Sequence, residues 1–166
     1  MVYLETERLL LKNLTAEDAP VLYQYRNNTD CAKYQRWDDT ELDAINQLIQ
    51  MHENDIFLSL QEEQHYAIAL KDSKCIGDLS LFYTPQDHCI TLGITISPKY
   101  QHQGYAFEIL KEVVASVQHE HPQLELVALI DPENQKSIEL FAKLGFQMEC
   151  YAESIASCVY TLPCLR

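Results

Sequence analysis

The sequence predicts an α/β (α+β) domain built on one mixed sheet of about seven strands with about four helices. Three observations carry this reading. Three alternating, strand-like segments follow one another in the middle of the chain, and stretches with helical spacing of apolar residues lie on both sides of them. No repeat, low-complexity tract or linker interrupts the 166 residues, so residues 1–166 read as a single domain. Apolar residues make up 47% and charged residues 22%, enough for one substantial core.

The elements follow in order. Arg8 to Lys12 is strand-like, and Thr15 with Asp18 has the form of a capping box that opens a helix through about Asn27. A cap at Asp39 and Thr40 precedes Leu42, Ile45, Leu48 and Ile49, an apolar stripe at helical spacing. Then the period changes. Tyr66, Ile68 and Leu70 alternate, Lys71 to Lys74 forms a turn, and Ile76 to Tyr83 returns as the partner strand. A turn at Pro85 to His88 leads to a third strand, Cys89 to Ser97, which Pro98 ends because proline donates no ladder hydrogen bond. A helix from about Gly104 to Gln118, a buried-type run Leu124 to Ile130 and a helix from Asn134 to Leu144 follow. Strands near Phe146 to Tyr151 and Cys158 to Leu162 close the order β-α-α-β-β-β-α-β-α-β-β.

Charge narrows the partners. Lys and Arg number 12 against 25 Asp and Glu, a formal net charge of −13, which repels nucleic acid and anionic membranes. Between Asp38 and Glu63 the acids Asp38, Asp39, Glu41, Asp43, Glu53, Asp55, Glu62 and Glu63 occur without Lys or Arg. That stretch is either a solvated helix face or an acidic mouth for a cationic substrate. Glu5, Glu7, Arg8 and Lys12 break the start, and no run approaches the roughly 20 apolar residues of a membrane span. A cytoplasmic protein is expected. The 6 cysteines lack C-x-x-C spacing and read as reduced thiols. His119, Glu120 and His121 beside Pro122 offer too few ligands for zinc and read as an exposed turn, so no metal is expected.

The stretch from Ile94 to Ala106 is a strand ending at proline, a polar loop, and a helix that opens on small residues. Amides of a first helical turn lack intrahelical partners and carry the positive end of the helix dipole, so they hold phosphate oxygens where no side chain intrudes. Gly104 and Ala106 leave that space, and Lys99 and Lys111 outweigh Glu108 locally. This run resembles the acyl-CoA loop of the GNAT superfamily of N-acetyltransferases, a strand of form L-x-V-x-P followed by Q/R-x-x-G-x-G/A. It matches at Ile94, Ile96, Pro98, Gln101, Gly104 and Ala106. A second block, Asn134 to Phe146, is similar to the family's N-x-x-S followed by K-L-G-F. Leu4 to Lys12 with Glu17-Asp18-Ala19 is similar to the opening of the RimJ/RimL-like branch, which acetylates protein N-termini and small amines.

The resemblance implies a GNAT fold with a splayed fourth and fifth strand. It also implies acetyl-CoA as cosubstrate and direct acetyl transfer, in a ternary complex, to a primary amine on a protein N-terminus or a small cationic molecule. Backbone groups of Ile94, Thr95 and Ile96 would meet the acetyl carbonyl and the pantetheine arm, with Ile94 stabilising the oxyanion. Amides of Gln101, His102, Gln103, Gly104, Tyr105 and Ala106 would hold the pyrophosphate. The Asn134 side chain would bind the pantetheine, and Ser137 would lie near the sulfur.

Phe141 stands where many members carry a tyrosine acid, which leaves Ser137 as proton donor or as a serine that only touches the cofactor. Thr91 stands where the branch often has a glutamate, so the base stays open among Asp78, Glu153 and a water chain. Cys89 and Cys150 have no neighbour that would activate them. Trp37 and Tyr34 line the acceptor mouth or belong to the core. His102 occupies a place where many members have glycine, and Gly93 falls where the family's fourth strand bulges. The missing tyrosine favours a reading of another class, a non-catalytic GNAT-fold module that binds acyl-CoA or a protein. Monomer and homodimer both stay open.

Overall fold

The computed structural model describes residues 1–165 except 36, 38 and 39. The strands are β1 (Val2–Glu5), β2 (Leu9–Asn13), β3 (Glu63–Leu70), β4 (Cys75–Thr84), β5 (Cys89–Ile96), β6 (Glu125–Ile130), β7 (Gln147–Ala152) and β8 (Ser157–Leu162). The helices are α1 (Ala19–Arg26), the single turn α2 (Thr29–Ala32), α3 (Leu42–His52), α4 (Tyr105–Glu120) and α5 (Gln135–Lys143). One sheet runs in the order β1-β2-β3-β4-β5-β6-β8-β7, antiparallel throughout except for the parallel pair β5 and β6.

The described residues hold one strand and one helix more than expected. β1 pairs with β2 from Val2↔Lys12 to Glu5↔Leu10 as a half-exposed edge strand, too short and too charged to give an alternating signal. α2 is a four-residue turn whose Asn28 side chain accepts from the Cys31 N–H, below the length at which periodicity can be read. The Thr15–Asp18 box forms, with the Thr15 N–H donating to Asp18 Oδ2 at 2.8 Å. It closes a single 3₁₀ turn, and α1 begins only at Ala19, where Pro20 fits the first turn. The cap expected at Asp39 lies outside the described residues, and Glu41 is the N-cap of α3.

Strand alternation sends apolar side chains to two cores. Leu9, Leu11, Ile68, Leu79 and Ile90 face α4 and α5, together with Ile109, Val113 and Phe141. The opposite face carries smaller residues, Ala67 and Cys75, under Leu22, Tyr25, Ile45 and Ile49 of α1 and α3. Trp37 is half-buried and packs against this second core, its ring 6.1 Å from Tyr25. The bulge expected at Gly93 is absent, because β4 and β5 stay in register from Gly77↔Ile96 to Thr84↔Cys89. Glycine there leaves room for its facing residue, since a Cβ would lie 2.5 Å from Ser80 Oγ and the hydroxyl would have to turn away.

A buried polar anchor sets α1 on β4. Asp78, 6% exposed, accepts from the Tyr25 hydroxyl through Oδ1, and Arg26 Nη2 lies 3.4 Å from its Oδ2. The Arg26 guanidinium also lies 5.1 Å from the Trp37 ring centroid. Burial, reinforced by Asp78, pushes the Tyr25 hydroxyl well above its usual range, so it stays a donor. Removing the carboxylate strands a buried guanidinium. Urea denaturation of Asp78→Ala is expected to show a loss of about 3–5 kcal/mol. Tyr25→Phe, which removes one hydrogen bond to a charged group, is expected to lose about 1.5–3 kcal/mol.

Candidate active site

β5 leaves β6 early. Their parallel ladder covers only Cys89↔Glu125, Ile90↔Leu126 and Thr91↔Val127, whereas β5 stays with β4 to Ile96 and β6 with β8 to Ile130. A wedge therefore opens beside Gly93 to Ile96, as the resemblance implied. The Ser97 N–H donates to Ile76 O at 2.7 Å, so Thr95 and Ser97 turn their peptide groups to β4. Alternation then turns those of Ile94 and Ile96 into the wedge. One of them is taken, because Gln101 Nε2 donates to Ile96 O at 2.8 Å. The Ile94 N–H and C=O and the Ile96 N–H have no strand partner there. Thr95 presents its peptide to β4 and its buried side chain to the α1 and α3 face.

The loop after β5 leads to the N-terminus of α4. Gly104 is its N-cap at φ +81, and His102 is also left-handed at φ +64, so the histidine does adopt the conformation that favours glycine. The Glu108 N–H bonds to Gly104 O at 3.1 Å, which leaves the N–H groups of Tyr105, Ala106 and Phe107 without intrahelical acceptors. A Cβ at Gly104 would meet only Arg8 Nη2, at 3.5 Å.

Arg8 is the residue that sequence reasoning missed. Its backbone N–H and its Nε donate to Glu108 at 3.0 and 2.7 Å, and its Nη1 donates to Gln103 O at 3.0 Å. The guanidinium lies 4.3 Å from the Tyr105 ring centroid. Thr6 also donates to Glu108. Burial pushes the Glu108 carboxyl up, but the hydrogen bonds from Thr6 and Arg8 outweigh it and hold the group below its usual range. Glu108 is thus a neutralised anchor, and Arg8 and Lys136 add positive charge at the loop beyond that of Lys99 and Lys111. Lys136 Nζ lies 3.2 Å from His102 Nε2 and joins the start of α5 to the loop.

That contact brings the two sequence blocks together. Asn134 caps α5, its Oδ1 accepting from the Ser137 N–H at 3.3 Å, which commits the oxygen and leaves the two Nδ2 protons for a ligand. Ser137 sits in the first turn of α5, half-buried. One turn further, Phe141 is 4% exposed and packs edge-on against Phe146 at 5.1 Å, so the place of the tyrosine acid belongs to the core.

The other candidates disperse. Asp78 commits both carboxylate oxygens to Tyr25 and Arg26. Glu153 lies exposed in the turn between β7 and β8, and Thr91 marks the last rung that joins β5 to β6. Burial, helped by Asp87 and Glu125, pushes the Cys89 thiol up, away from a reactive thiolate. None of the 6 cysteines is in a disulfide. Tyr34 is half-buried under Lys33. Within the acidic stretch Glu41, Asp43, Glu53 and Glu62 are exposed, but Asp55 is buried, so the acids do not form one surface. Asp38 and Asp39 lie outside the described residues. His121 is no exposed turn residue, since it is half-buried and its Nε2 donates to Leu58 O at 2.9 Å. A concavity of about 480 Å³, lined by Leu60, Glu62, Phe82 and Pro85 among others, opens at the far end of β4 from the loop.

The Acetyltransferase (GNAT) domain family matches residues 8–147. The chain is 28% identical over 151 residues to the uncharacterized N-acetyltransferase YoaA of Bacillus subtilis (strain 168), covering 88% of this chain and 83% of the relative. It is 27% identical over 140 residues to the spermidine N(1)-acetyltransferase of Escherichia coli (strain K12), covering 84% of this chain and 73% of that one. The fold is shared with the crystal structure of spermidine N-acetyltransferase from Vibrio cholerae in complex with CoA and spermine, at a TM-score of 0.74 and 18% identity over 92% of each chain. No described helix is long and apolar enough to cross a membrane. The chain belongs to the GNAT acetyltransferase family and is an N-acetyltransferase, in agreement with its RimJ/RimL-like opening and its two motif blocks.

Proposed function

We propose that this N-acetyltransferase moves an acetyl group from acetyl-CoA directly to the primary amine of a small cationic acceptor, both substrates being bound together. The observation that carries the reading is the wedge between β5 and β6, which ends at a helix N-terminus with open amides. In this arrangement the pyrophosphate lies against the amides from Gln101 to Ala106, with Arg8 and Lys136 as flanking cations. The pantetheine runs along Ile94 and Ile96 and meets Asn134 Nδ2. An Ile94 N–H aimed at the thioester oxygen stabilises the negative charge that develops as the amine attacks. Ser137 returns a proton to the departing thiolate, directly or through water.

A cationic acceptor fits the net charge of −13. The relative named as a spermidine acetyltransferase acts on such an amine by its name. Calorimetry with acetyl-CoA, followed by thiol release across spermidine, other polyamines and an alanyl peptide, tests the proposal. Saturable binding with polyamine-dependent release is expected. No binding up to millimolar acetyl-CoA removes the donor, binding without release under any amine leaves only a binding module, and release with the peptide alone removes the cationic acceptor.

Two substitutions probe the loop and the proton. A left-handed side chain costs about 1–2 kcal/mol, and glycine's extra freedom when unfolded returns about 0.5–1 kcal/mol of that. His102→Gly is therefore expected to raise Tm by about 2–3 °C in a scanning experiment, with acetyl-CoA still bound. Ser137→Ala separates proton transfer from cofactor contact in steady-state kinetics. The expected result is kcat lower by about 10²-fold or more with the acetyl-CoA KM unchanged. A raised KM at constant kcat would reduce Ser137 to a cofactor contact.

A further inference from the structure

The most unusual chemistry outside the wedge lies where the end of α3 meets β3. His52 Nδ1 is 2.8 Å from Asp55 Oδ2, and a carboxylate can only accept there, so Nδ1 donates and Nε2 is the nitrogen left for a ligand. That Nε2 is buried without a partner among the described residues. His65 stands beside it, ring centroids 4.6 Å apart, with its Nε2 2.7 Å from Glu63 Oε1 and its Nδ1 also buried without a partner. One ligand atom from each of His52, Glu63 and His65 lies within 4.8 Å of the other two. Buried nitrogens left unpaired are costly, and an ordered water or a bound ion would satisfy them.

The surroundings fix the first histidine. Asp55 Oδ2 accepts the His65 backbone N–H at 3.0 Å, and Asp55 O accepts from the Tyr3 hydroxyl at 2.6 Å and from Asn13 Nδ2 at 2.8 Å. Asp55 is therefore fastened by three hydrogen bonds and orients His52 so that Nε2 is offered, as carboxylates do behind metal-bound histidines. Two imidazoles and one carboxylate suit a borderline transition metal, whereas Mg²⁺ and Ca²⁺ take oxygen ligands. Ligands of one zinc ion lie about 3.3 Å apart, closer than the 4.8 Å limit that holds here, so binding requires the half-exposed Glu63 side chain to give up its bond to His65 Nε2 and turn to the ion.

We propose that His52, His65 and Glu63 bind a divalent transition metal, with Zn²⁺ the fitting ion, and that Asp55 positions His52. This departs from the expectation of a metal-free protein. It is independent of the acetyl transfer reading. His65 faces Ser80, which faces Gly93, so the site lies on the α1 and α3 face, two strands from β5. A bound ion ties α3 to β3 and leaves a coordination position open beside Glu63.

The test uses the full chain stripped with chelator, in a Cys150→Ser, Cys164→Ser background that removes the two exposed thiols. Zn²⁺ is titrated by calorimetry, Co²⁺ by its visible absorption, and Tm is recorded with and without Zn²⁺. One equivalent of Zn²⁺, a tetrahedral Co²⁺ spectrum and a metal-dependent rise in Tm are expected. Glu63→Gln and His65→Ala should weaken Zn²⁺ binding at least 10-fold and abolish the Tm rise, and Asp55→Asn should weaken it by about 10–100-fold. Glu63 is half-exposed, so E63Q keeps the test valid if the histidine variants fail to fold. Absence of Zn²⁺ binding at 100 µM, or binding that E63Q leaves unchanged, overturns the site.

Discussion

The wedge depends on one interrupted ladder. β5 and β6 stop pairing after Thr91 and Val127, yet neither strand becomes a free edge, because β4 holds one and β8 holds the other. An opening inside a sheet normally leaves unpaired peptide groups, which is unfavourable in a dry interior. Here the loss is confined to the side of β5 that faces the gap, and the protein covers part of it itself with the Gln101 side chain on Ile96 O. The groups left over at Ile94 and Ile96 alternate with groups engaged on β4, so they are held rigidly by a ladder they do not join. In the proposed reaction a thioester carbonyl would meet preformed donors there, not donors that must reorganise.

The second constraint is electrostatic. A chain with net charge −13 is poorly suited to a polyphosphate unless charge is arranged locally. The arrangement reaches across the chain, since the turn between β1 and β2 delivers Thr6 and Arg8 to Glu108 in the first turn of α4. Glu108 then serves as the post to which the cation is fastened. Arg8 bonds through Nε and Nη1, and its Nη2 comes to the open side of Gly104. The edge strand β1 buries little, yet it carries the turn that keeps this guanidinium over Tyr105.

Local signals in the sequence carried far. Helical spacing gave α3, α4 and α5 to within a few residues, and Pro98 with Gly104 marked the loop because both act through backbone geometry that neighbours cannot hide. β1 was not legible, since Glu5 and Glu7 hide the short alternation of an edge strand. Arg8 and Lys136 were not legible as flanking cations, because their roles depend on contacts with Glu108 and His102 that only folding creates. Gly93 shows the reverse error: its glycine was read as a backbone device, when the Ser80 hydroxyl across the ladder fills the space a Cβ would take. His119 and His121 drew attention by adjacency, yet it is His52 and His65, on different elements, that converge.

The two faces of the sheet are held by different physics, and that difference assigns them different work. Large aliphatic side chains join α4 to the sheet, and such contacts fix distance well but direction poorly. On the other face Ala67 and Cys75 give α1 and α3 little to pack on, and directional polar contacts take over: Tyr25 and Arg26 on Asp78 for α1, His52 through Asp55 to the His65 N–H for α3. Hydrogen bonds and charge pairs have angles as well as lengths, so they set where these helices sit on β3 and β4. Neither polar cluster touches the Gln101–Ala106 loop. The proposed cofactor side of the wedge is thus built of backbone and one clamp, whereas the seating of α1 and α3 rests on a few buried polar groups.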